Sequence, residues 1–201
     1  MKCYVIRHVE KEQGDFYNPH LRHQDEPISL NGEVSAQKLV SYFSDKSISA
    51  IYVSGYQRTY QTIEDVAKQL HLTPKVDERL NEIDNGVFEG LSDQEIQQKY
   101  PDVWGVFLKR SSDFRFPNGE TGEEVRHRIM EFLEQKRKQH DGESIIIVAH
   151  DGLIRTLICG ILCMPVYQRW NLQTDFGGIT EIVYQPEYET WKLVRFNQVC
   201  S

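Results

Sequence analysis

Short apolar runs alternate with longer amphipathic segments along most of this sequence. Continuous apolar runs of a few residues, rich in Val, Ile and Tyr, are typical of strands buried on both faces. The run Ser144-Ile145-Ile146-Ile147-Val148 is the clearest of them. The pattern predicts strands at 3–6, 50–53 and 144–148, a weaker strand over 75–80, and a closing hairpin of 180–184 and 191–196.

The intervening segments have the apolar spacing of helices. Ser29 is a candidate N-cap, and Ala36, Leu39, Val40 and Phe43 then recur at helical spacing. Thr121-Gly122-Glu123-Glu124 has the form of a capping box. Helices are therefore predicted after Ser29, after Ser54, from Thr121 to about Gln139, and over 153–161.

This order of elements predicts the fold class. Alternating strands and helices favour an α/β fold with a mainly parallel central sheet, covered on both faces as in a three-layer α/β/α sandwich. No internal repeat and no Gly/Ser/Pro-rich linker divides the 201 residues. We therefore expect a single domain over residues 1–201.

Composition and charge narrow the function classes. Lys and Arg total 23 against 30 Asp and Glu, so the formal net charge is −7, and the pI is near 5.5. That balance disfavours nucleic acid and anionic membrane as partners, since both require a basic face. The start of the chain lacks a signal-peptide core and the longest apolar stretch carries Arg155, so we expect a cytoplasmic protein with no membrane span.

The four cysteines are too few in a chain of this length to indicate a disulfide framework. Cys159 and Cys163 lie four apart on an apolar helical stretch and could share a metal. No further His or Cys pair stands near them, so we interpret both as buried thiols.

Candidate chemistry lies at the ends of the predicted strands. Ligands of open parallel sheets bind outside the carboxyl ends of the strands. The residues that follow these ends are Arg7 and His8, then Ser54 and Arg58, then Glu82, and finally His150 directly before a helix.

Two guanidiniums, two imidazoles and a helix N-terminus can surround a phosphate dianion. A neutral imidazole can attack phosphorus, and Glu82 can supply a proton to the departing alkoxide. The cations already balance the charge of the transferring group, so this chemistry requires neither metal nor cofactor. Each residue also has an ordinary interpretation: a histidine that ends a strand, arginines in surface ion pairs, a solvated glutamate. Their coincidence at one sheet edge favours a phosphoryl-transfer site.

The motifs around these residues resemble those of the histidine phosphatase superfamily, also called phosphoglycerate mutase-like. The resemblance covers nearly the whole chain, in the family's order. The matching segments are Arg7-His8-Val9-Glu10, Asp25-Glu26-Pro27-Ile28-Ser29-Leu30-Asn31-Gly32, Ser54-Gly55-Tyr56-Gln57-Arg58-Thr59, Arg79-Leu80-Asn81-Glu82, Pro117-Asn118-Gly119-Glu120 and Val148-Ala149-His150-Asp151-Gly152.

The resemblance implies a metal-independent phosphatase that acts on a small phosphate monoester. In such an enzyme His8 becomes a phosphohistidine, and Arg7, Arg58 and His150 hold the phosphoryl oxygens. Glu82 is the proton donor and then the base that activates water. Glu120 is either a substrate-rim residue or a carboxylate that stabilises a helix N-terminus.

Two departures from the family pattern affect the loop after His8. Val9 replaces the usual Gly. Gly14 stands where many members have an Asn that contacts the phosphate. Another residue of the loop could make that contact instead: Gln13, Asn18, Arg22 or His23. Arg22, His23 and Glu120 are possible substrate-rim residues. Residues 10–26 and about 91–120 should form the rim, and they also carry Lys11, Trp104, Lys109, Arg110 and Arg115.

Four alternatives remain beside this interpretation. Cys163 and Arg169 have the spacing of a cysteine phosphatase loop, but the loop lacks glycines and contains Pro165. A phosphoglycerate mutase is the rival within the family, although the span from Glu82 to His150 is short for one. Asp151 could replace Glu82 as proton donor. A non-catalytic protein that binds a phosphorylated ligand is the last alternative.

Overall fold

The computed structural model describes residues 1–21 and 23–200, with a six-stranded sheet at its centre. The strands, numbered along the chain, are β1 (Lys2–Arg7), β2 (Tyr17–Asn18), β3 (His23–Gln24), β4 (Ala50–Val53), β5 (Lys75–Val76), β6 (Ser144–Ala149), β7 (Ile179–Gln185) and β8 (Thr190–Gln198). The helices are α1 (Leu30–Phe43), α2 (Gln57–Leu70), α3 (Asp93–Lys99), α4 (Pro101–Phe107), α5 (Gly122–Gln139) and α6 (Asp151–Ile161).

The strand order in the central sheet is β5-β4-β6-β1-β7-β8. The first four strands of this order are parallel, while β7 runs antiparallel to β1 and β8 antiparallel to β7. β2 and β3 form a separate two-stranded ribbon. The predicted α/β fold with a mainly parallel sheet is confirmed.

Two hydrophobic clusters cover the two faces of the sheet. Cys3 and Val5 of β1 pack in the cluster that includes residues of α5 and α6, whereas Tyr4 and Ile6 pack with α1 and α2. Successive strand side chains point to opposite faces, so a continuous apolar run supplies both clusters. The result is the predicted arrangement of three layers.

The predicted helix starts are present. The Ser29 hydroxyl accepts the N–H of Gly32 at 3.1 Å and caps α1. At the start of α5, Thr121 and Glu124 exchange both hydrogen bonds of a capping box. α2 begins at Gln57, so the helix predicted after Ser54 is present as well.

Four predictions need correction. The weak strand over 75–80 shortens to β5, because the Asp77 carboxylate accepts the N–H of Arg79 and turns the chain into a 3₁₀ turn. α3 and α4 were not predicted. Cys163 is exposed, so its interpretation as a buried thiol is wrong: it follows the end of α6 with a φ of 53°. Trp104 was wrongly placed at the pocket rim and packs in the core against Phe107.

Across the described ranges, 1–21 and 23–200, no helix has the length and apolar character that crossing a membrane would require.

Candidate active site

Three neighbouring strands of the sheet end at one place. β6 lies between β4 and β1, so Ser54, His150 and His8 follow adjacent strand ends. The ring centroids of His8 and His150 are 5.2 Å apart, and Arg58 on the first turn of α2 reaches within 3.4 Å of His150 Nδ1. The structure therefore brings together both histidines and Arg58, which the sequence placed at one sheet edge.

The His8 ring has a defined tautomer. Its Nδ1 lies 2.8 Å from the carbonyl oxygen of Val9. A carbonyl only accepts, so Nδ1 carries the proton and Nε2 keeps its lone pair. Burial, followed by the positive charge of Arg58, lowers the pKa of His8 to about 3. The ring is therefore neutral near pH 7 and has an unprotonated nitrogen.

His150 has the opposite tautomer. Its Nδ1 faces Arg58 Nη2, and since a guanidinium only donates, Nδ1 is the acceptor. Nε2–H then donates to the Ser54 hydroxyl at 2.8 Å. His150 is completely buried, and burial together with the charge of Arg58 lowers its pKa well below the ordinary value. Arg58 thus fixes the tautomer of the ring, and Ser54 helps to hold its orientation.

Two guanidiniums supply positive charge. Arg58 is buried and donates through Nη1 to the Gln24 carbonyl and the Glu26 carboxylate, each at 3.3 Å. Arg7 donates to the Thr174 carbonyl at 2.6 Å. Burial lowers the pKa of Arg7, and an arginine remains charged nonetheless. The Nε atoms of both are buried without a protein acceptor. Each cation therefore keeps hydrogen-bonding capacity that the protein does not use.

Glu82 reaches the site from a loop that follows the 3₁₀ turn after β5. Its carboxylate accepts the N–H groups of Ile83 at 2.9 Å, Gly152 at 3.1 Å and Leu153 at 3.0 Å. The last two belong to the first turn of α6, directly after His150. A Cβ on Gly152 would lie 2.8 Å from Glu82 Oε1. The missing side chain of Gly152 therefore permits the carboxylate to lie on the helix N-terminus.

Asp151 precedes Gly152, which donates to Glu82, and both carboxylate oxygens of Asp151 have partners of their own. One carboxylate oxygen accepts the Thr174 hydroxyl at 2.7 Å, and the other pairs with Arg155 at 2.6 Å.

The structure places two other predicted rim residues, His23 and Glu120, beside different charged side chains. His23 lies 3.7 Å from a carboxylate oxygen of Asp84 and 3.5 Å from one of Glu89. Glu120 forms a two-bond ion pair with Arg128. Arg22 lies outside the described residues.

The turn after His8 adopts an ordinary backbone conformation. Val9 is buried and is not among the residues with positive φ, so replacing the family's usual Gly introduces no left-handed strain. The position that needs a glycine is Gly32, because a Cβ there would lie 2.2 Å from the Glu10 carbonyl oxygen.

The sequence did not predict two residues that lie at the candidate site. Phe176 lies against the guanidinium of Arg7, 4.1 Å from ring centroid to Cζ, and 5.6 Å from the His8 ring centroid. Glu26 pairs with both Arg58 and Lys11. Glu26, Lys11 and Phe176 line a cleft of about 800 Å³, and Phe176 also lies against the His8 ring. Glu26 lies within a recognised motif, whereas nothing in the local sequence marks Phe176.

The chain matches one family model over nearly its whole length. The model describes the histidine phosphatase superfamily (branch 1) and matches residues 3–199.

Individual proteins are similar as well. The chain is 29% identical to "Phosphoserine phosphatase 1" of Hydrogenobacter thermophilus, over 90% of this chain and 86% of that protein. It is 27% identical to "Probable phosphoglycerate mutase GpmB" of an Enterobacter species, over 92% and 86%. Among solved structures, Bacillus stearothermophilus YhfR has a TM-score of 0.83 at 25% identity, over 96% of this chain and 95% of that one.

Proposed function

The chain belongs to the histidine phosphatase superfamily (branch 1), and from that membership we propose that it hydrolyses small phosphate monoesters through a phosphohistidine on His8. The observation that carries this proposal is the His8 tautomer. Nδ1–H donates to the Val9 carbonyl, which leaves the lone pair on Nε2 of a buried, neutral ring. A neutral imidazole beside two guanidiniums is a nucleophile that needs no separate base.

The first step transfers the phosphoryl group to the protein. His8 Nε2 attacks phosphorus, the bond from phosphorus to the ester oxygen breaks, and that oxygen takes a proton from Glu82. The three N–H groups around Glu82 stabilise the carboxylate that remains. Arg7 and Arg58 donate to the phosphoryl oxygens with the N–H groups that the protein leaves unused.

The second step returns the protein to its starting state. Water gives a proton to the Glu82 carboxylate, and its oxygen displaces Nε2 from phosphorus to release inorganic phosphate. The ion pair with Arg155 stabilises the ionised form of Asp151, and this favours Glu82, whose hydrogen bonds come from backbone N–H groups, as the proton carrier. Since the cations of the site balance the transferring charge, neither metal nor cofactor takes part.

Phosphoserine is the first substrate to test, because the relative from Hydrogenobacter bears that name. We expect release of phosphate from phosphoserine and from p-nitrophenyl phosphate, unchanged by EDTA. His8→Ala should abolish it, and His127→Ala, a change at an exposed position of α5, should not. Undiminished turnover in His8→Ala would exclude the proposed nucleophile, and loss of activity with EDTA would exclude metal-free chemistry.

A phosphoglycerate mutase is the second candidate, and the similarity to the Enterobacter protein favours it. A mutase would interconvert 2- and 3-phosphoglycerate after priming with bisphosphoglycerate. A phosphatase would release inorganic phosphate from the same mixture. Following both products in one reaction distinguishes the two functions.

A further inference from the structure

Arg128 of α5 uses every N–H of its guanidinium within the protein. Nε–H and one Nη2–H donate to the two carboxylate oxygens of Glu120, each at 2.9 Å. Nη1 donates to the carbonyls of Arg79 and Asn81 at 2.7 and 2.9 Å, and Nη2 donates to the carbonyl of Glu82 at 3.2 Å. Five donors therefore meet five acceptors, and three of these acceptors are backbone carbonyls of one short segment.

Glu120 holds the same segment from its other end. Its Oε2 accepts the N–H of Asp84 at 3.0 Å, and its own N–H donates to the Asp84 carbonyl at 2.9 Å. The segment 79–84 is therefore fixed by Arg128 at residues 79, 81 and 82 and by Glu120 at residue 84. Glu82 lies between these attachment points.

We propose that Arg128 and Glu120 are positioning residues for Glu82. They hold its backbone so that the carboxylate lies on the first turn of α6, next to His150. The proposal rests on the proposed function, in which Glu82 moves the proton. Three of the Arg128 donors point at the backbone of the loop that carries Glu82, so we assign the effect of the pair on catalysis to the position of Glu82.

The residue types match this role. A guanidinium is planar and donates in fixed directions to a carboxylate and to several carbonyls at once. A lysine at position 128 keeps the charge but has three donors on a single nitrogen, so it cannot make this set of bonds. Glutamine at position 120 keeps the shape but puts an NH₂ group where an oxygen now accepts from Arg128 and Asp84.

The test compares two leaving groups. Nitrophenolate departs without a proton, whereas the alkoxide of phosphoserine requires one. We expect Arg128→Lys and Glu120→Gln to lower kcat and kcat/KM for phosphoserine roughly 10- to 100-fold, below the roughly 10²- to 10⁴-fold range of general acid catalysis, with little change in KM. The kcat/KM for p-nitrophenyl phosphate should fall far less. This constant covers only the phosphorylation of His8 and excludes the later step in which Glu82 acts as base for both substrates. Arg126→Lys is the matched control, since Arg126 lies on the same helix and pairs with Glu123 at the surface.

A double variant separates positioning from general support of the fold. If Arg128 acts through Glu82, adding Arg128→Lys to Glu82→Gln costs no further activity with phosphoserine. Equal losses for both leaving groups, a rise in KM in place of the fall in kcat, or losses that multiply in the double variant would overturn the proposal. If Arg128→Lys fails to fold, the same comparison of the two leaving groups is made with Glu120→Gln.

The failure of the proposed function has a different signature. If Glu82→Gln itself lowers kcat/KM equally for both leaving groups, Glu82 is not the proton donor in the first step. That result overturns the proton-transfer role and this proposal with it. A leaving-group-dependent loss in Glu82→Gln that is absent from Arg128→Lys and Glu120→Gln overturns the positioning role alone.

Discussion

At the residue scale, two buried histidines lie side by side in opposite tautomers. The Val9 carbonyl directs the proton of His8 to Nδ1, and Arg58 with Ser54 directs the proton of His150 to Nε2. The sequence predicted both histidines, because each follows a strand directly. It could not predict their tautomers, which depend on Val9 after β1 and on Ser54 and Arg58 after β4. The sequence could not predict Phe176 as a site residue either, because only the tertiary fold brings it close to His8.

The buried histidines predict a loss of stability in acid. The folded pKa of His8 is about 3, below that of an ordinary histidine, so the unfolded chain binds more protons in the interval between them. The free energy of unfolding should therefore be highest above about pH 6.5 and fall towards pH 5 by ~1.4 kcal/mol per pH unit for each such histidine.

Urea unfolding at pH 7, 6 and 5 measures this dependence. His8→Asn should remove one histidine's share of the slope. Equal slopes for wild type and His8→Asn would contradict the burial of a neutral ring.

At the element scale, the length of the apolar pattern that follows a cap decided which helices could be predicted. The Ser29 cap and the Thr121 capping box lie before long apolar patterns, and both helices begin where predicted. α3 begins with an equally good capping box at Ser92 and Glu95, but only Ile96 of that helix is buried. With seven residues it is too short to establish a helical period in sequence.

The N-terminus of α6 gives a prediction at this scale. Gly152→Ala places a methyl group 2.8 Å from Glu82 Oε1 and from Ile83 Cγ2, so the carboxylate must move. We expect a loss of about 1–3 kcal/mol in stability from overpacking, together with reduced kcat for phosphoserine. Gly105→Ala in α4 is the control, because its Cβ would meet nothing within 4 Å. That change should be neutral or stabilise by about 0.5–1 kcal/mol. Equal effects of the two changes on kcat would contradict the close approach of Glu82.

At the scale of the whole molecule, strand order explains why the site exists. Placing β6 between β4 and β1 makes residues near 8, 54 and 150 neighbours. The sequence predicted a mainly parallel sheet but not this order, because the order depends on crossovers that leave no local pattern. The net charge of −7 likewise describes the whole chain and not the pocket, where Arg58 contacts His150 and Arg7 lies against Phe176 beside His8.

Phosphate binding tests whether the pocket attracts an anion although the whole chain carries a negative net charge. Inorganic phosphate should stabilise the folded protein in spite of the net charge, by about 2.7 kcal/mol at a concentration 100 times its Kd. Arg58→Met should abolish the rise in Tm, and Arg137→Met, which removes a surface pair with Glu134, should keep it. Sodium chloride at matched ionic strength is the control for screening. The same rise in Arg58→Met as in wild type would contradict the assignment of the pocket.

The most direct test of the central claim is to find the phosphoryl group on the protein during turnover. The reaction with p-nitrophenyl phosphate is quenched rapidly in alkali, which preserves phosphohistidine, and the peptides are mapped by mass spectrometry. We predict a phosphoryl group on His8 of the wild-type protein and none on His150. A phosphoryl group on any other residue, or turnover without phosphorylation of His8, would contradict the account.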